Sequence, residues 1–295
     1  MKRNNGFCKS VLKYIFFAFF FVLLLVAASY SPEKEVFPTD TPPPATNFPS
    51  AETPNLETPD MKERLPEEPA WSMSTEEPLP EIPVFSPDLE ESEPVGDDFF
   101  KDAAFIGNSL LDGLRLHSGI SCGDFYAYTS MTVMGVGVKQ VVNLGNGNIG
   151  TILQGMAQKE YGKVYILLGI NEIFLEPEEF SVHYGKLVGK VREIQPNADI
   201  YIMSLTPLGK EKSQSNKLYG LERLLSFNDA LYDVAMEQEC YYLDIYSALA
   251  DEEGFLPKGD STDGVHLIPD YYKLWLDYIK CHYSDGKNKA ELEIP

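Results

Sequence analysis

The stretch 103–116, Ala-Ala-Phe-Ile-Gly-Asn-Ser-Leu-Leu-Asp-Gly-Leu-Arg-Leu, decides how this chain is read. Its first five residues form an apolar run that stops at a turn sequence, as a strand buried on both faces does. From Leu110 to Leu116 the apolar residues fall at helical spacing, so Gly107-Asn108-Ser109 marks the passage from strand to helix. The alternation repeats downstream. Short apolar runs at Phe125–Tyr128, Val164–Gly169, Ile200–Leu205 and Tyr241–Ile245 predict four more strands. Helical patterns at Ile149–Glu160, Glu178–Ile194, Leu221–Gln238 and Pro269–Cys281 separate or follow them. In the Glu178–Ile194 segment, Phe180, Tyr184, Leu187, Val188, Val191 and Ile194 recur every three or four residues, which puts them on one buried face. Strands alternating with helices require crossover connections, and these give a parallel sheet covered on both sides: a three-layer α/β/α domain.

Outward from this body the texture changes. Residues 31–98 hold 15 of the chain's 21 prolines, and 18 Asp or Glu against 3 Lys or Arg, a net charge of −15. A segment so poor in apolar residues cannot offset its ordering entropy, so it is expected to be an extended spacer. Before it, residues 11–30 (VLKYIFFAFFFVLLLVAASY) are apolar over the length that spans a bilayer. Lys2, Arg3, Lys9 and Lys13 lie towards the N-terminus, an asymmetry that keeps that end in the cytoplasm and exports the remainder. The expected order is therefore a cytoplasmic N-terminus (1–10), a transmembrane signal-anchor (11–30), an extracytoplasmic Pro/Glu-rich linker (31–98) and a folded α/β domain (99–295). Ala27, Ala28 and Ser29 also suit a signal-peptidase site, but the apolar run is long for a cleaved signal.

The overall charge of −21 is concentrated in the linker, and residues 99–295 carry −10. Nucleic acid is a poor partner for such a surface, because phosphate binding needs clustered Lys and Arg. The four cysteines, Cys8, Cys122, Cys240 and Cys281, match neither a zinc spacing nor a redox pair. They read as small apolar residues.

Three polar clusters fall where strands of an α/β sheet end, the place such sheets keep their functional groups. The first is Gly107-Asn108-Ser109. A serine at a helix N-terminus stands beside free backbone N–H groups that can stabilise an oxyanion, although Ser and Asn are also common helix caps. The second is Gly169-Ile170-Asn171-Glu172, where the Asn171 amide can donate to developing negative charge. The third is Asp263-Gly264-Val265-His266. A carboxylate three residues before a histidine can hold Nδ1–H and leave Nε2 free to take a proton. Of His117, His183, His266 and His282, His266 alone has such a neighbour in a turn-rich loop.

In this order and spacing, the three blocks resemble those of the SGNH hydrolases, the GDSL-like lipases and esterases, over about residues 99–281. The resemblance implies a flavodoxin-like sheet, Ser109 as nucleophile, and His266 as base oriented by Asp263. It also implies an oxyanion hole built from the Ser109 N–H, the Asn171 side chain and a backbone N–H of a second block. That block lies in Tyr128-Thr129-Ser130-Met131-Thr132, with Ser130 near the position where glycine is usual; Met131 and Gly135 are alternative donors. Asn108 and Glu172 each replace an aspartate of the family pattern. No metal or cofactor is implied. The expected activity is hydrolysis of acyl esters, O-acetyl groups on wall or extracellular polysaccharide above all. It should fall towards acid as an imidazole protonates, at about pH 6 to 7.

Two other readings compete. Gly145-Asn146-Gly147-Asn148-Ile149-Gly150 satisfies the GxGxxG pattern of a dinucleotide site, with Glu172 downstream. A glycine-rich turn with Asn148 as helix cap explains it better, because the fingerprint belongs after the first strand of its domain. The second is a non-catalytic module of the same fold that binds glycan or a partner protein at the cell surface.

Overall fold

The structure, a computed structural model, describes residues 85–284; the anchor segment and residues 31–84 of the linker lie outside the described residues. The strands are β1 (Ala103–Gly107), β2 (Asp124–Ala127), β3 (Val142–Gly145), β4 (Asn148–Gly150), β5 (Lys163–Leu167), β6 (Asp199–Met203) and β7 (Tyr241–Leu243). The helices are α1 (Ser109–His117), α2 (Ile152–Met156), α3 (Pro177–Ile194), α4 (Lys210–Ser215), α5 (Leu221–Glu237), α6 (Ile245–Leu249) and α7 (Pro269–Cys281). Five strands form one sheet in the order β2-β1-β5-β6-β7, every neighbouring pair parallel. Helices α1 and α7 pack together, as do α3 and α5. The right-handed rule for crossovers puts these pairs on opposite faces. This is the three-layer α/β/α architecture that the alternation of segments predicts.

The register lines up an aromatic ladder across the sheet. Phe105 pairs with both Phe125 and Tyr165, Tyr165 with Tyr201, and Tyr201 with Tyr241. Residues in register on adjacent strands lie close to ring-stacking distance, and the rings use it. The centroids are 4.4 Å apart for Phe105–Phe125, 4.8 Å for Phe105–Tyr165 and 4.5 Å for Tyr165–Tyr201. Each such pair adds about 0.5–1.5 kcal/mol to its area burial, so the ladder fixes strand order as well as filling the core. The Ser284 N–H, just past α7, donates to the Tyr201 hydroxyl at 3.1 Å, which ties the chain's return to the ladder.

Residues 85–98, which composition assigns to the linker, belong to the folded body. Phe85 packs at a tilt against Tyr241, ring centroids 5.8 Å apart, extending the ladder. The Tyr242 N–H donates to the Pro87 carbonyl at 2.8 Å, and the Ser92 and Val95 N–H groups donate to the Cys281 and Lys280 carbonyls. The segment is a strap along the β7 edge, and it gives that edge a partner it would otherwise lack. Side chains add to this: Phe85, Leu89 and Val95 pack against the core, the Tyr232 hydroxyl donates to Asp88 at 2.9 Å, and Lys280 pairs with Asp97 at 2.7 Å.

The GxGxxG stretch is a hairpin. Strands β3 and β4 pair antiparallel, with Asn146 (φ 53°) and Gly147 (φ 80°) at the tip. Two consecutive positive φ values are the mark of a tight hairpin turn, for which Asn-Gly is the favoured pair. The strand-turn-helix frame of a dinucleotide site is absent there. Nor does Asn148 cap the next helix: Thr151 does, in a reciprocal capping box with Gln154, so the helix expected over Ile149–Glu160 shortens to Ile152–Met156. No disulfide joins Cys122, Cys240 and Cys281 among the described residues, and no helix among them is long and apolar enough to cross a membrane.

Candidate active site

The chain passes from β1 to β2 on one side, then to β5 on the other side of β1, so the sheet changes winding direction between β1 and β5. The crevice beyond the carboxyl ends of such strands is the usual ligand site of an open α/β sheet. Ser109 follows β1 and Asn171 follows β5, which brings them to this crevice.

Ser109 is the first residue of α1. Asn108 before it is fully buried and caps the helix, its Oδ1 accepting the Leu110 N–H at 2.9 Å. That is the ordinary cap expected of Asn, and it sets the serine at the helix N-terminus with its hydroxyl turned outward. The Ser109 Oγ lies 2.9 Å from His266 Nε2.

His266 is fixed from behind by Asp263. One carboxylate oxygen, Oδ2, lies 2.9 Å from His266 Nδ1. The other, Oδ1, accepts the Val265 and His266 backbone N–H groups at 2.9 and 2.8 Å. Because an ionised carboxylate can only accept, Nδ1 carries the ring proton and Nε2 presents its lone pair to the Ser109 hydroxyl. Partial burial works to raise the Asp263 carboxyl, but the His266 backbone and ring and the Val265 N–H outweigh it and hold it at about 2. It is therefore charged at any working pH. Ser261 stiffens the loop, its Oγ accepting the Gly264 N–H and donating to the His266 carbonyl, both at 2.8 Å. Gly264 needs its glycine twice over, since φ is +82° and a Cβ there would lie 2.4 Å from Lys212 Cβ of α4. Through that contact and the Gly209 N–H bond to the Gly264 carbonyl (2.9 Å), the polar stretch after β6 abuts the histidine loop as a short helix.

The second-block loop meets the same crevice. Ser130 sits at φ 55°, the left-handed region that glycine enters without cost and other residues enter under strain. The backbone at Ser130 thus has a conformation that suits glycine better than serine. Lys139 Nζ donates to the Ser130 carbonyl at 2.7 Å, holding that shape. Asn171 Nδ2 donates to the Met131 carbonyl at 2.8 Å. An amide carries two N–H donors, so this bond fixes the side chain and leaves the second hydrogen to point elsewhere. Glu172, beside it, is 3% exposed and accepts the Val133 N–H through Oε1. Burial raises its carboxyl to about 7, against the lowering effect of that N–H.

The structure thus links Ser109, His266 and Asp263 in one hydrogen-bonded chain, and Asn171 to the loop that carries Ser130. The Ser109 and His266 side chains keep access to solvent; His266 is 42% exposed. Glu172 is the group that sequence reading undervalued. It was visible only as a departure from a pattern, and its partner, a backbone N–H 39 residues away, has no sequence signature.

The model of the GDSL-like lipase/acylhydrolase family matches residues 105–274. No curated protein matches the chain. Among solved structures, a GDSL-like lipase from Bacteroides thetaiotaomicron VPI-5482 is 14% identical, with a TM-score of 0.46 over 64% of this chain and 89% of the other. An acetyl xylan esterase is also 14% identical, with a TM-score of 0.46 over 60% and 96%. A carbohydrate acetylesterase from Sinorhizobium meliloti gives 14%, a TM-score of 0.44, and 60% and 95%.

Proposed function

The chain belongs to the GDSL-like lipase/acylhydrolase family, hydrolases acting on esters, and from that premise we propose that it is a membrane-tethered extracytoplasmic serine esterase. The observation that carries the reading is the relay of two 2.9 Å contacts, Ser109 Oγ to His266 Nε2 and His266 Nδ1 to Asp263 Oδ2. His266 Nε2 takes the hydroxyl proton as Ser109 Oγ attacks the ester carbonyl carbon. The resulting oxyanion receives the Ser109 N–H, the second Asn171 amide hydrogen and the Ser130 N–H. Asp263 keeps the ring oriented and offsets the charge of the imidazolium. As the tetrahedral species collapses, the alcohol leaves with the proton from Nε2. Water then attacks the acyl-serine, its proton passing to the same nitrogen, and the acid is released with Ser109 restored.

Export follows from the apolar segment 11–30 and its basic N-terminal flank, and the Pro/Glu-rich linker gives the domain reach from the membrane. A serine–histidine pair with access to solvent suits an ester presented by a polymer chain, and small acyl groups such as O-acetyl on wall or extracellular polysaccharide are the proposed substrates. The test is hydrolysis of p-nitrophenyl acetate and butyrate by the wild type beside Ser109→Ala. Turnover by the wild type alone, with acetate preferred, supports the reading. A folded wild type as inert as the variant removes it in favour of a glycan- or protein-binding module.

A further inference from the structure

A buried carboxylate is expensive unless something is gained by it, and an apolar residue of similar volume would fill the same space at lower cost. Glu172 is buried, its Oε2 has no hydrogen-bond partner, and its Oε1 accepts the Val133 backbone N–H. That N–H belongs to the loop that begins at Ser130. In the same 3-10 turn, Ile170–Glu172, the preceding side chain reaches the same loop from the opposite sense: Asn171 donates to the Met131 carbonyl. Two consecutive residues of one turn thus grip residues 131 and 133 of another, one as donor and one as acceptor. A single hydrogen bond would leave the loop free to pivot; two of opposite sense fix its position and its rotation.

We propose that Glu172 is a positioning residue of the ester-hydrolysing site, holding the Ser130–Val133 loop against the Asn171 turn so that the donors from the two segments converge on one oxyanion. The inference rests on the serine-esterase reading and extends it to a residue that touches neither substrate nor reacting atoms. The charged and titratable groups facing Glu172 are Lys139 from the second-block segment, which is bonded to the Ser130 carbonyl, and Tyr184 from α3. Lys139 therefore supports the clamp from the far end of the loop.

The conservative variant separates positioning from charge. Glu172→Gln keeps a side-chain oxygen able to accept the Val133 N–H, and Glu172→Ala removes it. In the full-length protein acting on p-nitrophenyl acetate, Glu172→Gln should keep kcat within about threefold of wild type. Glu172→Ala should lose roughly 10- to 100-fold in kcat with KM within twofold, because donors that meet only the oxyanion act on the transition state. Should Glu172→Ala not fold, Glu172→Asp, which keeps a carboxyl but falls short of Val133, carries the same expected loss. Folding is checked by thermal melting at the assay pH. Undiminished kcat in folded Glu172→Ala, or in folded Glu172→Asp where Ala does not fold, overturns the positioning role and leaves the esterase reading standing. So does a loss in Glu172→Gln as large as that in Glu172→Ala. An inert wild type overturns the esterase reading and the positioning role together.

Discussion

Replacing Glu172 with glutamine should change how stability depends on pH, and the structure gives both sign and size. Burial pushes this carboxyl from an ordinary 4.5 up to about 7. The folded state therefore holds a proton that the unfolded chain has already released across that interval. A group with a raised folded-state value contributes stability that is fully present below pH 4.5 and is lost as pH rises through 7. At about 1.4 kcal/mol per pH unit, the loss amounts to about 3 kcal/mol. Glutamine has nearly the same shape and never ionises, so Glu172→Gln escapes it. The difference between the two proteins isolates this one group, because every other titration is common to both. Urea unfolding of wild type and variant at pH 5, 6, 7 and 8 should show the variant gaining about 2 kcal/mol on the wild type between the ends of the series. With a slope of about 2 kcal/mol/M, that is a relative midpoint shift of about 1 M. Stability curves that run parallel over this range would refute the reasoning: the carboxyl would then be ionised in the fold as readily as in water.

Three further outcomes follow from packing. The Tyr165 hydroxyl is buried without a hydrogen-bond partner, so Tyr165→Phe should leave thermal stability unchanged or raise it by about 1 kcal/mol; a loss of that size would mean that the hydroxyl has a partner. A Cβ on Gly113 would lie 2.1 Å from the Tyr272 hydroxyl of α7, and Gly113→Ala should cost about 1–3 kcal/mol in a denaturant melt by forcing that ring aside. A fragment starting at Gly96 loses Phe85 from the ladder and the strap's bonds to Tyr242, Cys281 and Lys280. It should melt a few degrees below one starting at Phe85, since half-burying one Phe is worth about 1 kcal/mol and the strap's backbone bonds are lost with it.

The sequence disclosed most where the physics is local. Strand β1, helix α3 and helix α7 were legible because apolar spacing acts within the segment itself. The chain from Ser109 to His266 spans 157 residues, and it could be anticipated only because each end sits in a short block with its own turn chemistry. Ser130 illustrates the limit: its residue type says little, while its φ of 55° puts it in the left-handed region that favours glycine. The helix expected over Ile149–Glu160 came out short because the Asn146-Gly147 turn starts a hairpin, and the turn signal outranks periodicity over so few residues. The strap at 85–95 and the Glu172 clamp were illegible for one reason. Both depend on bonds to backbone groups of distant segments, and backbone groups are the same in every sequence.

The account's central claim is that Ser109 is a nucleophile activated by His266, and covalent capture tests it most directly. Wild type, Ser109→Ala and His266→Ala would each be incubated with a fluorophosphonate and their intact masses measured, with peptide mapping of any adduct. The account predicts one phosphonyl group per wild-type molecule, located on Ser109, none on Ser109→Ala, and labelling of His266→Ala slowed by at least about a hundredfold. Labelling of Ser109→Ala at the wild-type rate, or wild-type protein left unmodified while folded, would contradict it.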